Sequence, residues 1–516
     1  MRPSVIFAVD KFPVTGHGKR DRRALASVDV SQVKRPKKTT SIKLSSEQQR
    51  VFSIWKDILP QETVELHDIG PETDFFAIGG TSLTILELQK RFQKDLGARI
   101  EIATLFESSS LRQMTVLLEE RTQLTESEEK QIDWEKETQL ELSAGQFRNA
   151  KSMKDWTASS RNGGSIIVIL TGATGFLGKA LLRALIATKE IAKVHCLAVR
   201  QVEKLSDFVD EPTVQIHTGD LTSPRLGMSE EKARHIFSES HIIIHNGADV
   251  SFMKTYGSLR QANVQSTRDL INLSLTHVDG GHDFHFISTA GVLGFSGEHE
   301  FPNITANGFH PPVDGSFGYS ATKWASERIL ERASDAYGMS VSIYRPTNIT
   351  GDQTPELDIV HNVIKYSQIL KVVPDPKGIW DGFINLVSLE ICTNDIISSI
   401  LYVAYGREPG VHYLHVTGPE DIPVGGLKSY LERNDRAGTW YKQVGLAQWV
   451  VKAERAGLKQ LTGAYLKKLA TEKQEMYLTR VLNEKGTTDQ LLSERSSSWS
   501  VLNAWRRAKM QRGTMV

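Results

Sequence analysis

The chain has 516 residues, of which 40% are hydrophobic and 24% charged, and its formal net charge is +1. Those values exclude a mostly disordered or fibrous chain, and no global charge is left to draw nucleic acid or anionic lipid. Two cysteines, Cys196 and Cys392, are too few for a disulfide scaffold and predict a reducing, cytoplasmic setting. Residues 1–10 lack a signal-peptide pattern, and no apolar run has the length of a bilayer span, so no membrane partner is expected. At roughly 150 residues per domain, the length allows about three domains.

In chain order, a basic stretch over 19–38 comes first and reads as a solvated linker rather than a polyanion-binding arm. Next, Val51, Ile54, Trp55, Ile58 and Leu59 recur at helical spacing, with Ser45 or Ser46 as cap and Pro60 as stop. Helical patterns over 83–96 and 111–121 complete a small bundle. Residues 122–164 are polar and lack a sustained apolar face, which predicts an interdomain linker that can carry short helices. Short apolar runs at 166–170, 194–199, 215–217, 242–245, 284–288 and 341–344 then alternate with helical patterns at 177–188, 259–275 and 319–337. That alternation predicts a parallel sheet covered on both faces. Residues 425–516 read as mostly helical, and Trp440, Trp449, Trp499 and Trp505 are expected mainly in a core.

Three motifs carry chemistry. In Asp74-Phe75-Phe76-Ala77-Ile78-Gly79-Gly80-Thr81-Ser82-Leu83, two glycines permit a tight turn and place Ser82 at a helix N-terminus, where a phosphate is favoured. Thr171-Gly172-Ala173-Thr174-Gly175-Phe176-Leu177-Gly178 follows a strand and opens a helix, the context a dinucleotide pyrophosphate requires. About twenty residues later the second strand ends at Arg200, where a carboxylate would favour NAD and a guanidinium suits the extra phosphate of NADP. In Tyr319-Ser320-Ala321-Thr322-Lys323, a spacing of four puts Tyr319 and Lys323 on one helical face. An ammonium there is expected to lower the phenol pKa from its ordinary value near ~10.

The stretch from Ser45 to Arg121, with Leu105-Phe106-Glu107 before its last helix, resembles the carrier domain of nonribosomal peptide and polyketide synthases. That resemblance implies a four-helix fold and 4′-phosphopantetheine attached covalently at Ser82 by a phosphopantetheinyl transferase. Thr81 stands where the family often has Asp, His or Asn, which bears on partner recognition. The second and third motifs resemble the extended short-chain dehydrogenase/reductase family, which implies a Rossmann-type doubly wound parallel sheet. It further implies that Asp220 and Leu221 touch the adenine and that Asn246-Gly247-Ala248 lines the pyrophosphate and ribose. Thr289 would bind the substrate oxygen, with Ser288 as a possible substitute, and would complete a triad with Tyr319 and Lys323. Lys323 would also orient the ribose, and Arg345-Pro346-Thr347-Asn348 would lie beside the nicotinamide.

Residues 12–22, Phe12 through Lys19 to Arg22, look like the closing motif of an adenylation domain whose core is not in this sequence, so Lys19 is given no catalytic role. The expected organisation is an adenylation remnant and basic linker over 1–40, a carrier over 41–123, a linker over 124–164 and a reductase over 165–516. The helical end of the last unit is expected to face the substrate. The order, with Ile132-Asp133-Trp134-Glu135 in the linker, resembles the C-terminal end of a fungal polyketide–nonribosomal peptide hybrid synthetase. It implies an NADPH-dependent thioester reductase that releases a carrier-bound acyl or peptidyl chain as an aldehyde, the chain being supplied in trans by an upstream synthase. Dieckmann-type cyclisation to a tetramic acid is the alternative, though such relatives tend to lose the Tyr-Lys pair that is intact here. A nonenzymatic carrier or NADP-binding remnant is the third reading.

Overall fold

The computed structural model describes residues 44–122, 131–140 and 165–481, apart from short breaks at 60, 62–63, 65–68, 99, 279–280, 298–299, 302–304, 376, 378–379, 405–409, 436–437, 473–475 and 479. Lys19, the expected adenylation remnant, Trp499 and Trp505 lie outside the described residues.

The first unit is helical. Helix α1 (Ser46–Ile58) starts with a reciprocal capping box between Ser45 and Gln48 and stops where Leu59, the residue before Pro60, turns extended. Helices α2 (Ser82–Leu96), α3 (Ile102–Glu107) and α4 (Leu111–Thr122) follow. Trp55, Phe75, Ile85, Leu88, Phe92, Leu105 and Met114 close one apolar core between them.

Residues expected as linker contribute a short helix, α5 (Trp134–Glu137), that is part of the next unit's core. Trp134 packs edge-on against Tyr256 and Trp324, with ring centroids 4.8 and 5.4 Å away. Glu137 accepts hydrogen bonds from the Tyr256 hydroxyl at 2.7 Å and from Arg260 Nε at 2.6 Å. The polar composition that suggested a linker is this outer, charge-paired face, and one buried tryptophan anchors it.

The second unit is built on a seven-stranded parallel sheet. Its strands are β1 (Ile166–Thr171), β2 (Ile191–Val199), β3 (Val214–Thr218), β4 (Ile242–His245), β5 (Asp283–Ile287), β6 (Ser340–Pro346) and β7 (Gly410–Val416), in the order β7-β6-β5-β4-β1-β2-β3. The central strands are buried on both faces, as their near-continuous apolar sequences require. One face carries α6 (Phe176–Ile186), and the other carries α7 (Glu230–Glu239), α8 (Ser266–His277) and α9 (Gly318–Tyr337). Helix α10 (Leu389–Ala404) joins α6 on its side.

The pattern read as one helix over 259–275 is two helices joined by a π-helical turn at Gln261–Gln265. Asn263 in that turn accepts from the Asp249 N–H at 2.7 Å and donates to the Asp249 carbonyl and the Thr322 hydroxyl, both at 3.0 Å. One amide thereby fastens the loop after β4 to α9. Beyond the sheet, helices α11 (Leu446–Arg455) and α12 (Gln460–Glu472) pack with short strands around Trp449, which is fully buried, while Trp440 is 68% exposed. Cys196 and Cys392 are free and buried, and burial pushes both thiols up to about 12. No helix among the described residues is long and apolar enough to cross a membrane.

Candidate active site and carrier site

The carboxyl ends of β1 and β4 lie side by side where strand order reverses, the place where open α/β sheets bind ligands. After β1 the chain turns at Gly172, whose φ is +70°, and a Cβ there would stand 2.6 Å from Gly247 Cα. A Cβ on Gly178 would stand 1.9 Å from the Gly172 carbonyl oxygen, so α6 abuts the loop that precedes it. Gly175 is the N-cap of α6 and supplies no side-chain cap, which leaves the helix N-terminus to an outside acceptor. Thr174 and Phe176 flank it, and Asn246 Nδ2 donates to the Gly172 carbonyl at 3.1 Å. This bare, glycine-lined turn fits a dinucleotide pyrophosphate.

The hydroxyl of Thr171 accepts from the Gly247 N–H at 2.9 Å and pairs with His245 Nδ1 at 2.8 Å. Burial and the Lys323 charge push the His245 imidazole down to about 3, so it is neutral and binds β1 to β4 as a structural group. At the end of β2, Arg200 lies 76% exposed, with Nε 3.6 Å from Asp220. The hydroxyl and N–H of Thr222 donate to Asp220 at 2.6 and 2.7 Å, and with Arg200 they hold that carboxyl below its usual range. Leu221 approaches the Gly247 backbone from the same side.

At the other end of the edge, α9 brings its first turn beside the end of β5. Gly318 makes this possible, because a Cβ there would stand 2.3 Å from the Lys254 carbonyl oxygen. Lys323 Nζ donates to the Ile287 carbonyl at 2.6 Å and lies 5.9 Å from the Tyr319 ring centroid. Thr289 follows two residues after Ile287, and its hydroxyl accepts from the Gly291 N–H at 3.1 Å, next to Ser320. Tyr319 and Lys323 thus stand together at the end of β5, with Thr289 in the loop that follows it.

The electrostatics differ from the expectation. Burial pushes the Tyr319 phenol up to about 12 and the Lys323 ammonium down to about 7, against a smaller opposite pull from Glu327. Lys323 spends its close contact on a backbone carbonyl, so desolvation outweighs its attraction for a phenolate. Two further expectations change. The Ser288 hydroxyl is committed to the buried Glu327 carboxylate, so it is not open to substitute for Thr289. Arg345 does not face a cofactor: it is fully buried, bidentate with Glu327 at 2.6 and 3.1 Å, and lies 4.6 Å over the Tyr413 ring. Thr347 and Asn348 are held on Asn385.

The carrier motif lies elsewhere. Gly79 has φ +102°, and a Cβ on Gly80 would stand 2.4 Å from the Phe75 ring. Thr81, not Ser82, is the N-cap of α2, in a reciprocal capping box with Thr84. Ser82 opens the helix and is 1% exposed. Its neighbours come from the far end of the chain: Lys467 Nζ donates to Ser82 Oγ at 2.7 Å, and Ser82 Oγ donates to Glu454. The helix α12 that carries Lys467 packs on α2.

Residues 49–118 match the family described as phosphopantetheine attachment site, and residues 170–396 match the NAD-binding family described as male sterility protein. The chain therefore joins a phosphopantetheine carrier region to a NAD-binding region. Its relatives are fungal hybrid synthetases: it is 38% identical to the hybrid PKS-NRPS synthetase pydA of Acremonium over 90% of this chain. It is 35% identical to the hybrid PKS-NRPS synthetase poxE of Penicillium oxalicum over 94% of this chain. The match takes in only 11% and 12% of those two relatives. Among solved structures, the terminal R domain of the myxalamid PKS-NRPS pathway superposes with a TM-score of 0.51 at 23% identity, over 65% of this chain and 85% of that one. This likeness supports the fold.

Proposed function

We propose that the chain reductively releases an acyl or peptidyl group, held as a thioester on the carrier, as an aldehyde. The observation that carries the reading is the placement of Tyr319 and Lys323 at the end of β5, with Thr289 in the loop after it, on the same sheet edge as the glycine turn, in a chain that also holds a carrier domain. The glycine turn and Asn246 would hold the cofactor pyrophosphate, Asp220 and Leu221 its adenosine end, and Arg200 the extra phosphate of NADPH. Bound NADPH supplies the hydride, and pantetheine on Ser82 supplies the thiol that carries the acyl group.

The protein's own part is to bind the carbonyl oxygen and move a proton. Thr289 and Tyr319 hydrogen-bond the oxygen on which charge develops. A phenol pushed up to about 12 is protonated at neutral pH and so stands ready as a donor. Lys323, poised near 7, stands behind the phenol as charge or as proton relay. Loss of the thiol from the reduced carbon then frees the aldehyde. A phosphopantetheinyl transferase must modify Ser82, and a synthase must load the acyl or peptidyl group that the pantetheine carries. Two buried free thiols suit a reducing, cytoplasmic setting.

The test is Tyr319→Phe in the loaded, full-length chain, with NADPH oxidation and aldehyde mass as readouts. Loss of the proton donor should lower the rate by ~10²–10⁴-fold. NADPH consumption at the wild-type rate would refute the assignment.

A further inference from the structure

Carrier and reductase meet through two segments. On one side, Glu101 of the carrier accepts from the Thr255 N–H at 3.0 Å and from the Ser258 hydroxyl at 2.8 Å, and Lys254 lies 3.9 Å from Glu107. On the other, Ala464 of α12 is buried within the carrier core, and Leu461 and Met253 pack against it. The Ser82 hydroxyl sits in this second contact and is 1% exposed. It is matched at both its donor and its acceptor sites, by Glu454 and Lys467, which also pair with each other at 3.0 Å.

This match suits an alcohol and not a phosphodiester. Modification forms an Ser82 Oγ–phosphorus bond, breaks the pyrophosphate bond of coenzyme A, and releases the hydroxyl proton and the nucleotide bisphosphate. It removes the hydrogen that Ser82 gives to Glu454 and sets a fresh negative charge against that carboxylate. Glu454 has no room to withdraw toward α12, because its Oε1 lies 2.1 Å from where a Cβ on Gly463 would be. The carboxylate already rests on a bare glycine.

We propose that Glu454 and Lys467 form a reductase-side site that recognises the unmodified hydroxyl of Ser82. Docking on it shields the serine, so a transferase acts on the undocked carrier, and the modified carrier no longer docks in this pose. The proposal rests on Ser82 being the attachment residue. A docked fraction that must open before reaction slows modification in proportion to its population.

The full-length unmodified chain, with coenzyme A and a phosphopantetheinyl transferase, is followed by intact mass. The double variant Glu454→Ala/Lys467→Ala should be modified roughly tenfold faster than wild type, the change expected when charge-assisted bonds that favour the docked state are lost. Glu101→Ala, which loosens docking far from Ser82, should also speed the reaction, and it serves if the double variant fails to fold. Amide exchange over 82–96 and 460–472 should be slower in the unmodified than in the modified wild-type chain. Equal modification rates in all chains, or equal exchange in both states, would overturn the site. No mass shift in any chain would instead overturn the attachment reading, and the site with it.

Discussion

At the β1–β4 end of the sheet edge, the decisive facts are steric: a side chain on Gly178 would meet backbone at 1.9 Å and one on Gly172 at 2.6 Å. At the β5–β6 end they are electrostatic. Glu327 and Arg345 are both fully buried and bidentate, Ser288 donates to the same carboxylate, and Tyr413 covers the guanidinium. The first end makes a surface by leaving atoms out, so that a charged ligand can approach bare backbone. The second sets a hydroxyl and a phenol in place by burying charges that must compensate one another. A ligand site made of absences tolerates few additions, whereas one made of buried charges tolerates few removals.

The largest expected effect tests that second statement. Glu327→Ala takes the bidentate carboxylate away from the fully buried Arg345 and frees Ser288, so it should cost ~3–5 kcal/mol of stability. Urea unfolding followed by tryptophan fluorescence measures it. The double variant Glu327→Leu/Arg345→Met should recover much of the loss, because no unpaired charge then remains. If the single variant unfolds like wild type, the pair is not what holds β5, α9 and β6 in register.

The two ends also differ in how far the sequence discloses them. Gly172, Gly175 and Gly178 sit within one turn and its helix, so their purpose follows from local spacing alone. Tyr319 and Lys323 are legible for the same reason. Glu327 is one turn beyond Lys323, yet its partners Ser288 and Arg345 lie 39 and 18 residues away and only the folded sheet assembles them. Arg345 accordingly read as a cofactor-facing residue when it is a core ion pair. Asn263 had a local signal, a polar residue inside an apolar helical pattern, and Trp134 had another, a large aromatic in a charged stretch. Lys467 had none, since 385 residues separate it from Ser82. The phenol of Tyr319 moved opposite to expectation because spacing reports proximity but not solvation.

A smaller effect uses that solvation directly. Lys323 titrates near 7 in the folded chain, against an ordinary value near 10.5, because burial disfavours its charge. Between those two values the unfolded chain binds the extra proton, so stability should rise with pH relative to Lys323→Met. Below about 7 both states are protonated and the difference is flat. His245, held near 3, stays neutral throughout the window. Paired urea titrations from pH 7 to 9 should show the gap moving by about 2 kcal/mol in favour of the wild type. A gap that stays constant would mean that Lys323 keeps its charge in the folded chain, and the contrast between the two ends would narrow.

The smallest effect belongs to the nucleotide end and should leave stability untouched. Arg200 is 76% exposed, and Asp220, its close carboxylate among the described residues, is already satisfied by Thr222. Arg200→Ala therefore removes no packing and strands no partner. On the proposed reading, what it removes is the planar cation that would meet the extra phosphate of NADPH, a charge-assisted contact near the surface. Fluorescence titration should show NADPH binding weakened about tenfold while NADH stays within about twofold, because only one of the two ligands carries the group that Arg200 is proposed to meet. Since the guanidinium faces solvent, added salt should shrink the gap, and a buried contact would resist screening. Equal loss for both nucleotides would mean that Arg200 orders the loop after β2 instead of reading the ligand. The nucleotide end would then depend on side-chain charge for its shape, as the substrate end does.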